Sequence, residues 1–411
     1  MQAPEQNEHW RFGGGLGSRT GPIIFGSMTS GPMTSDPKKT IGGYIILKPL
    51  LAAVAVLATF GIAEGVARLV RFVRVPPSAA VSPVSYSEPH DDYGYAAPHD
   101  SRHRAVKRSP DGSVCYDVSY RIDSFGRRSV GPAPQSPEAR HLLLFGGSIT
   151  FGEGLDDVDT LQHHLASEMR SRAANDNTVT NYSVANNADT NYTIYNYGIY
   201  NYAFHGYGPA HALAKLESGE LAAEVPSRRG VALFLLIPWH LSRVTGDTRA
   251  PWIYDSPYYY LDASAELQRA GSFRSGRPFT TSIYESLLAL RSHSALVTAL
   301  GIDLPLRVPE SAVDLTGVIL VDAARRYREA FEGDFWVVFH PSWNLYHADQ
   351  ERQRTQLVAI LDEAGVKSLD HAADSMDPED VVDPDCDLHP SGHFNKRYAN
   401  QLIEDLTPHL E

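Results

Sequence analysis

Apolar positions in the C-terminal two thirds of this chain fall into short solid runs, separated by stretches with helical three-to-four spacing. LLLF at 142–145 and VALFLLI at 231–237 contain no polar residue, as expected of strands covered on both faces. FWVVFHP at 335–341 and the region IYNYGIYNYAF at 194–204 read as further strands. Between them lie helical patterns. One starts from about Asp159, with Leu161, Leu165 and Met169 on one face, and others cover HALAKLESGELAAE, TGVILVDAARRYREAF and QERQRTQLVAILDEAG. The last helix starts from about Ser391. This alternation predicts an α/β fold, a three-layer α/β/α sandwich with a parallel sheet. Residues 244–312 interrupt it and read as an insertion carrying PYYYLD and a helix, SIYESLLALRSHSALVTAL.

Upstream the pattern changes. Residues 1–43 are rich in Gly, Ser, Thr, Pro and Met without apolar periodicity, the composition of a disordered tail. YIILKPLLAAVAVLATFGIA, 44–63, is apolar apart from Lys48, which lies close enough to its start to snorkel. We take 44–66 as one transmembrane helix. No small-residue cleavage site precedes Arg68, which disfavours a cleaved leader. Lys38, Lys39 and Lys48 balance Arg68, Arg71 and Arg74, so flanking charge does not orient the helix. The expectation is an N-terminus inside and the rest outside the cytoplasm. Residues 67–112 read as a Pro/Ser-rich tether and 113–411 as the folded domain. The Asn-Tyr-rich stretch 177–202 reads in its early part as an expanded polar loop, with glycosylation sequons at Asn181 and Asn191.

Composition narrows the function. The chain has 411 residues, 43% hydrophobic and 21% charged, within the globular range. A net charge of −13 without a basic, aromatic-interleaved patch sets nucleic acid aside. Its two cysteines, Cys115 and Cys386, exclude a disulfide-dense scaffold; one bond and two free thiols both fit.

The candidate chemistry starts at Gly146-Gly147-Ser148, where the first strand ends. Catalytic side chains of open parallel sheets sit at such carboxyl ends. A serine nucleophile needs a base, and the base an orienting carboxylate. DPDCDLHPSGHFN supplies both, with Asp387 two residues before His389 and Asp385 as a fallback. Two other readings of this stretch are a helix entry capped by Ser391 and a metal site from Asp385, Asp387, His389 and His393.

Together, FGGSITFGEGL, NYAFHGYGPAHAL and DLHPSGHFN with Ala399 resemble, in order and spacing, the blocks of the SGNH (GDSL-like) hydrolases. The N-terminal apolar segment, YRIDSFGRR at 120–128 and SPYYYLD are similar to membrane-anchored members. The resemblance implies Ser148 as nucleophile, His389 as general base and Asp387 as its partner. It also implies an oxyanion hole from the Ser148 and Gly206 amides, and no metal or organic cofactor. The family usually adds an asparagine after the third strand; here His240 stands in that place, and a neutral imidazole can donate one hydrogen bond. The function implied is hydrolysis of O-acetyl or other short acyl esters, on a glycan in one version, outside the cytoplasm. Two alternatives remain open: an O-acyltransferase using the same residues on an extracytoplasmic polysaccharide, with Tyr258, Tyr259 and Tyr260 as a sugar-stacking wall, and a non-catalytic glycan-binding domain.

Overall fold

The computed structural model describes residues 38–73, 86–129, 140–175, 197–342 and 349–410. The chain divides into two units, 1–61 and 62–411, and the sheet and its helices belong to the second. A helix spans Lys38–Val73 and covers the expected transmembrane segment. Among the described residues no helix is long and apolar enough to cross a membrane. The side chains of 38–50, where that segment begins, lie outside the described residues, as do the tail 1–37 and the two sequons.

Five parallel strands form the central sheet: β1 (Arg140–Phe145), β2 (Tyr197–Asn201), β3 (Arg229–Leu236), β4 (Glu332–Phe339) and β5 (Lys367–Asp370). Their order is β5-β4-β3-β1-β2. The solid apolar runs follow from two covered faces. Leu142, Leu144, Leu233 and Leu235 pack with Leu161 and Leu165 of α1 (Leu161–Asn175) and with Phe394 and Leu402 of α5 (Gly392–Leu410). The alternate residues Leu143, Phe145, Phe234 and Leu236 pack on the other face. There they meet α2 (Pro209–Glu217), α3 (Ser311–Ala330) and α4 (Gln350–Glu363). Each such fully buried Leu or Phe stabilises the fold by about 1.5–3 kcal/mol.

After β1 the chain crosses to β2 on one side, then returns to β3 on the other. The carboxyl ends of β1 and β3 therefore flank the point where strand order reverses, and a crevice opens there in sheets of this kind.

Two boundaries differ from the sequence reading. The tether was expected to reach residue 112, but hairpins form at Glu88–His90 with Gly94–Ala96 and at Arg102–Arg108 with Val114–Arg121. Pro and Ser dominate only the part before residue 86. Beyond it Tyr93, Tyr95 and Ala97 are buried, and Tyr95 and Ala97 pack with Tyr120, Phe151 and Phe204 over the turn after β1. The insertion contains a hairpin, Pro257–Leu261 with Leu267–Ser272, and helices Pro278–His293 and Ala295–Leu300. The single helix expected there breaks at Ser294, whose hydroxyl caps the second piece.

Candidate active site

Ser148 opens a single helical turn, Ser148–Phe151, directly after β1. One turn has little macrodipole, so its contribution lies in unpaired amides. A Cβ at Gly147 would lie 2.3 Å from Arg243 Nη1 and 3.0 Å from the Tyr207 carbonyl, so a side chain there would push the guanidinium aside. Asn201, at the end of β2, fixes the turn from below by donating from Nδ2 to the Thr150 carbonyl at 2.8 Å. The buried Arg128 guanidinium, from YRIDSFGRR, lies over the Tyr120 and Phe151 rings and donates to the Leu155 carbonyl at 2.9 Å.

Asp387 and His389 lie on a short strand, Asp387–Pro390, paired antiparallel with Val381–Asp383. A strand rather than a free loop therefore sets their spacing. His389 Nε2 is 2.8 Å from Ser148 Oγ, and Nδ1 is 2.6 Å from Asp387 Oδ1. The same oxygen accepts the His389 amide at 2.9 Å. Lys107, from the hairpin ahead of β1, donates to Asp387 Oδ2 at 2.8 Å. A disulfide joins Cys115 of that hairpin to Cys386, adjacent to Asp387. The structure thus pairs the two cysteines and fastens the aspartate from both sides.

A second carboxylate reaches the imidazole. Glu153 Oε2 lies 3.7 Å from His389 Nε2 and accepts from His205 Nδ1 at 2.7 Å. The Tyr86 hydroxyl bonds His205 Nε2, and the Tyr95 hydroxyl donates to the His205 carbonyl at 2.7 Å. The residue before Gly206 is therefore locked to the Ser–His pair through Glu153.

Burial disfavours charge on Glu153, Asp387 and His389, and the attraction between each carboxylate and its cationic neighbours outweighs it. For Glu153, burial would raise the pKa; the charges of His389 and His205 and the His205 hydrogen bond bring it down to about 2. Asp387 is buried as well, yet the His389 and Lys107 contacts hold it below the usual carboxylate range. For His389, burial pulls downward, but Glu153 and Asp387 together raise it above the ordinary imidazole value.

Gly206 has φ +74°. A Cβ there would also lie 2.3 Å from Trp252 Nε1 and 2.7 Å from Tyr95 Oη. No acceptor for the Ser148 or Gly206 amide is found among the described residues. These are the two amides that the resemblance assigns to an oxyanion hole.

His240, the expected third donor, lies beside the Gly206–Gly208 loop, its Cδ2 3.7 Å from where a Cβ of Gly208 would stand. It is fully buried in the helix Trp239–Thr245, its Nδ1 accepting from the Ile237 amide at 3.2 Å and its ring packed on Phe234. Burial and the nearby Arg243 charge push its pKa far below the ordinary value, so the ring is neutral. Because Nδ1 accepts that amide, the hydrogen of the neutral ring is on Nε2. Nε2 is directed at the Tyr207 carbonyl, which also accepts from Arg243.

Arg243, one turn further along, is the residue that reaches Gly147. Burial lowers its pKa to about 10. It makes no ion pair among the described residues, and its Nε lacks a partner.

The four-residue ligand set is not assembled either. Asp385 and His393 are exposed, whereas Glu153, Asp387 and His389 converge, with ligand atoms within 4.8 Å of one another. Ser391 does cap α5, accepting from the Phe394 amide at 3.2 Å. Of the expected tyrosine wall, Tyr259 is buried with its hydroxyl on Glu217, whereas Tyr258 stacks on the exposed Tyr260.

Sequence reasoning missed Lys107, Glu153, His205 and Arg243. Glu153 and His205 lie inside the quoted blocks, five residues after Ser148 and one before Gly206, and that proximity is the signal they offered.

No family model and no curated protein matches the chain. Similar solved structures include TesA, at 13% identity over 66% of this chain and 100% of that one, with a TM-score of 0.35. Another is the psychrotrophic esterase EstA from Pseudoalteromonas sp., inhibited by monoethylphosphonate (10%, 66% and 97%, TM-score 0.34). A third is LAE5, an alpha/beta hydrolase enzyme from the metagenome of Lake Arreo, Spain (11%, 66% and 96%, TM-score 0.35).

Proposed function

We propose that this chain is a serine ester hydrolase of the SGNH (GDSL-like) kind. In this reading it removes O-acetyl or other short acyl groups from a glycan outside the cytoplasm, held at the membrane by its N-terminal helix. The observation that carries it is the continuous relay from Ser148 Oγ through His389 to the buried Asp387 carboxylate. His389 Nε2 takes the serine proton as Oγ attacks the acyl carbon. The oxyanion rests on the Ser148 and Gly206 amides, with the Arg243 cation behind Gly147 adding a favourable field. His389 then returns the proton to the departing alcohol.

Other features support the finer parts of this reading. The Cys115–Cys386 disulfide is of the kind that persists in oxidising compartments. Trp252, 38% exposed, lies against Gly206 and offers an indole face to a pyranose ring.

The test is fluorophosphonate labelling of the full-length protein in detergent beside Ser148→Ala. Labelling of the wild type alone is expected. A folded wild type that stays unlabelled would refute the serine mechanism.

A further inference from the structure

The hydroxyl is only one of two oxygens beside the base. His389 Nε2 faces Ser148 Oγ at 2.8 Å and Glu153 Oε2 at 3.7 Å, and the second contact has no part in acylation as described above. Its position bears on the next step. Once Oγ carries the acyl group it has no proton to give, and Nε2, relieved of its proton by the leaving alcohol, is a bare acceptor. Nε2 and Glu153 Oε2 then stand side by side, two acceptors with no donor between them.

We propose that Glu153 is the residue that selects water as the second substrate, by accepting one of its hydrogens while Nε2 accepts the other. This rests on the Ser–His–Asp reading above. Water brings two O–H groups to two acceptors, and its lone pair turns toward the acyl carbon. An alcohol brings one. With that proton on Nε2, the alcohol's remaining lone pairs face a carboxylate, which repels them.

Glu153 is equipped for this. It is about nine-tenths buried and ionised, so it accepts and cannot donate. His205, itself held by Tyr86 and Tyr95, fixes the direction of the carboxylate.

The step balances. The water oxygen bonds to the acyl carbon as one proton passes to Nε2, and the oxyanion forms on the two amides. Its collapse breaks the Oγ–carbon bond while Nε2 returns the proton to Oγ, and the carboxylic acid leaves.

The test uses full-length protein with p-nitrophenyl acetate in buffer containing methanol, measuring acetate and methyl acetate separately, beside fluorophosphonate labelling. Labelling requires the serine and its base but no acceptor. Glu153→Gln removes a charge-assisted hydrogen bond from the water step, so hydrolysis should fall about tenfold to a hundredfold further than labelling does. The methyl acetate to acetate ratio should rise, because the Gln amide can donate to an alcohol lone pair. His205→Asn leaves the carboxylate but frees its direction, and should shift the ratio the same way by less. If Glu153→Gln fails to melt cooperatively, His205→Asn carries the test. Equal loss of labelling and hydrolysis at an unchanged product ratio would assign Glu153 a structural role and overturn the proposal. An unlabelled wild type would instead overturn the triad reading, and this inference with it.

Discussion

Two of the Ser–His pairs among the described residues follow strands of this sheet directly, and their surroundings differ. His389 meets Ser148 after β1. His340, directly after β4, meets Ser342, with Nδ1 and Oγ 3.1 Å apart. The second pair is sealed: His340 is 1% exposed and its ring packs against Phe394 and Tyr398. Burial and the charge of His371 drive its pKa down to about 3, so at neutral pH it stays an uncharged, hydrogen-bonded core residue. The first pair is buried too, but Asp387 on one nitrogen and Glu153 beside the other reverse the sign of the shift. Adjacency of serine and imidazole is cheap in a fold with 17 histidines. What separates a base from a core residue is the pair of carboxylates that stabilise its charged form.

The sharpest way to test the contrast is to remove each serine. Ser148→Ala should cost about 10⁵-fold or more in kcat, whereas Ser342→Ala should leave turnover of p-nitrophenyl acetate within about twofold. Comparable losses would erase the distinction. Asp387→Asn comes next. It keeps the shape but weakens the hold on the imidazolium, and kcat should fall about 10⁴-fold, as such substitutions do in other triads. The raised His389 pKa also sets a sign. A general base works deprotonated, so kcat/KM should climb through a pKa above the ordinary imidazole value. Removing the Glu153 charge should move that limb to lower pH, and a pH profile of Glu153→Gln checks it.

A smaller effect is expected from Cys115→Ala with Cys386→Ala. The disulfide ties the Lys107 hairpin to the residue beside Asp387, and nothing comparable fastens the His340 pair. Losing it should cost about 2–5 kcal/mol in chemical denaturation, with kcat falling only insofar as the Asp387 strand loosens.

The sheet was legible because its strands are covered on both faces and therefore read as unbroken apolar runs. β5 was not: KSLD is four residues of mixed polarity at the sheet edge, with no run to recognise. The Ser–His–Asp set could be read because the two partners sit two residues apart and the serine follows a strand, all local features. Lys107 could not, since it lies 280 residues from Asp387 in a stretch whose surroundings look like linker. Only the register that sets Lys107 opposite Tyr116, beside Cys115, brings it in. Arg243 was missed for a similar reason: the sequence drew attention to His240 after the third strand, and only the helical turn that follows carries Arg243 to Gly147.

The smallest effect tests the two histidines by stability rather than activity. His340 has a folded pKa of about 3 against an ordinary value near 6.5, so the unfolded chain binds more protons between those limits. Its neutral, hydrogen-bonded state therefore stabilises the fold fully above about pH 6.5, and that stabilisation drains away as pH falls toward 3. His389 has the reverse sign: its raised pKa stabilises the fold below the ordinary imidazole value, and the gain is lost as pH rises through the folded pKa. His340→Phe leaves the Ser342 hydroxyl and amide without their acceptor, which should lower Tm at pH 7 by a few degrees, an effect of about 1 kcal/mol. The decisive quantity is the slope. Between pH 7 and 4.5 the variant's Tm should fall less than the wild type's, because the group that must give up its proton to stay buried is gone. An unchanged slope would mean that His340 is charged or solvated in the fold, and the contrast between the two pairs would then rest on the serines alone.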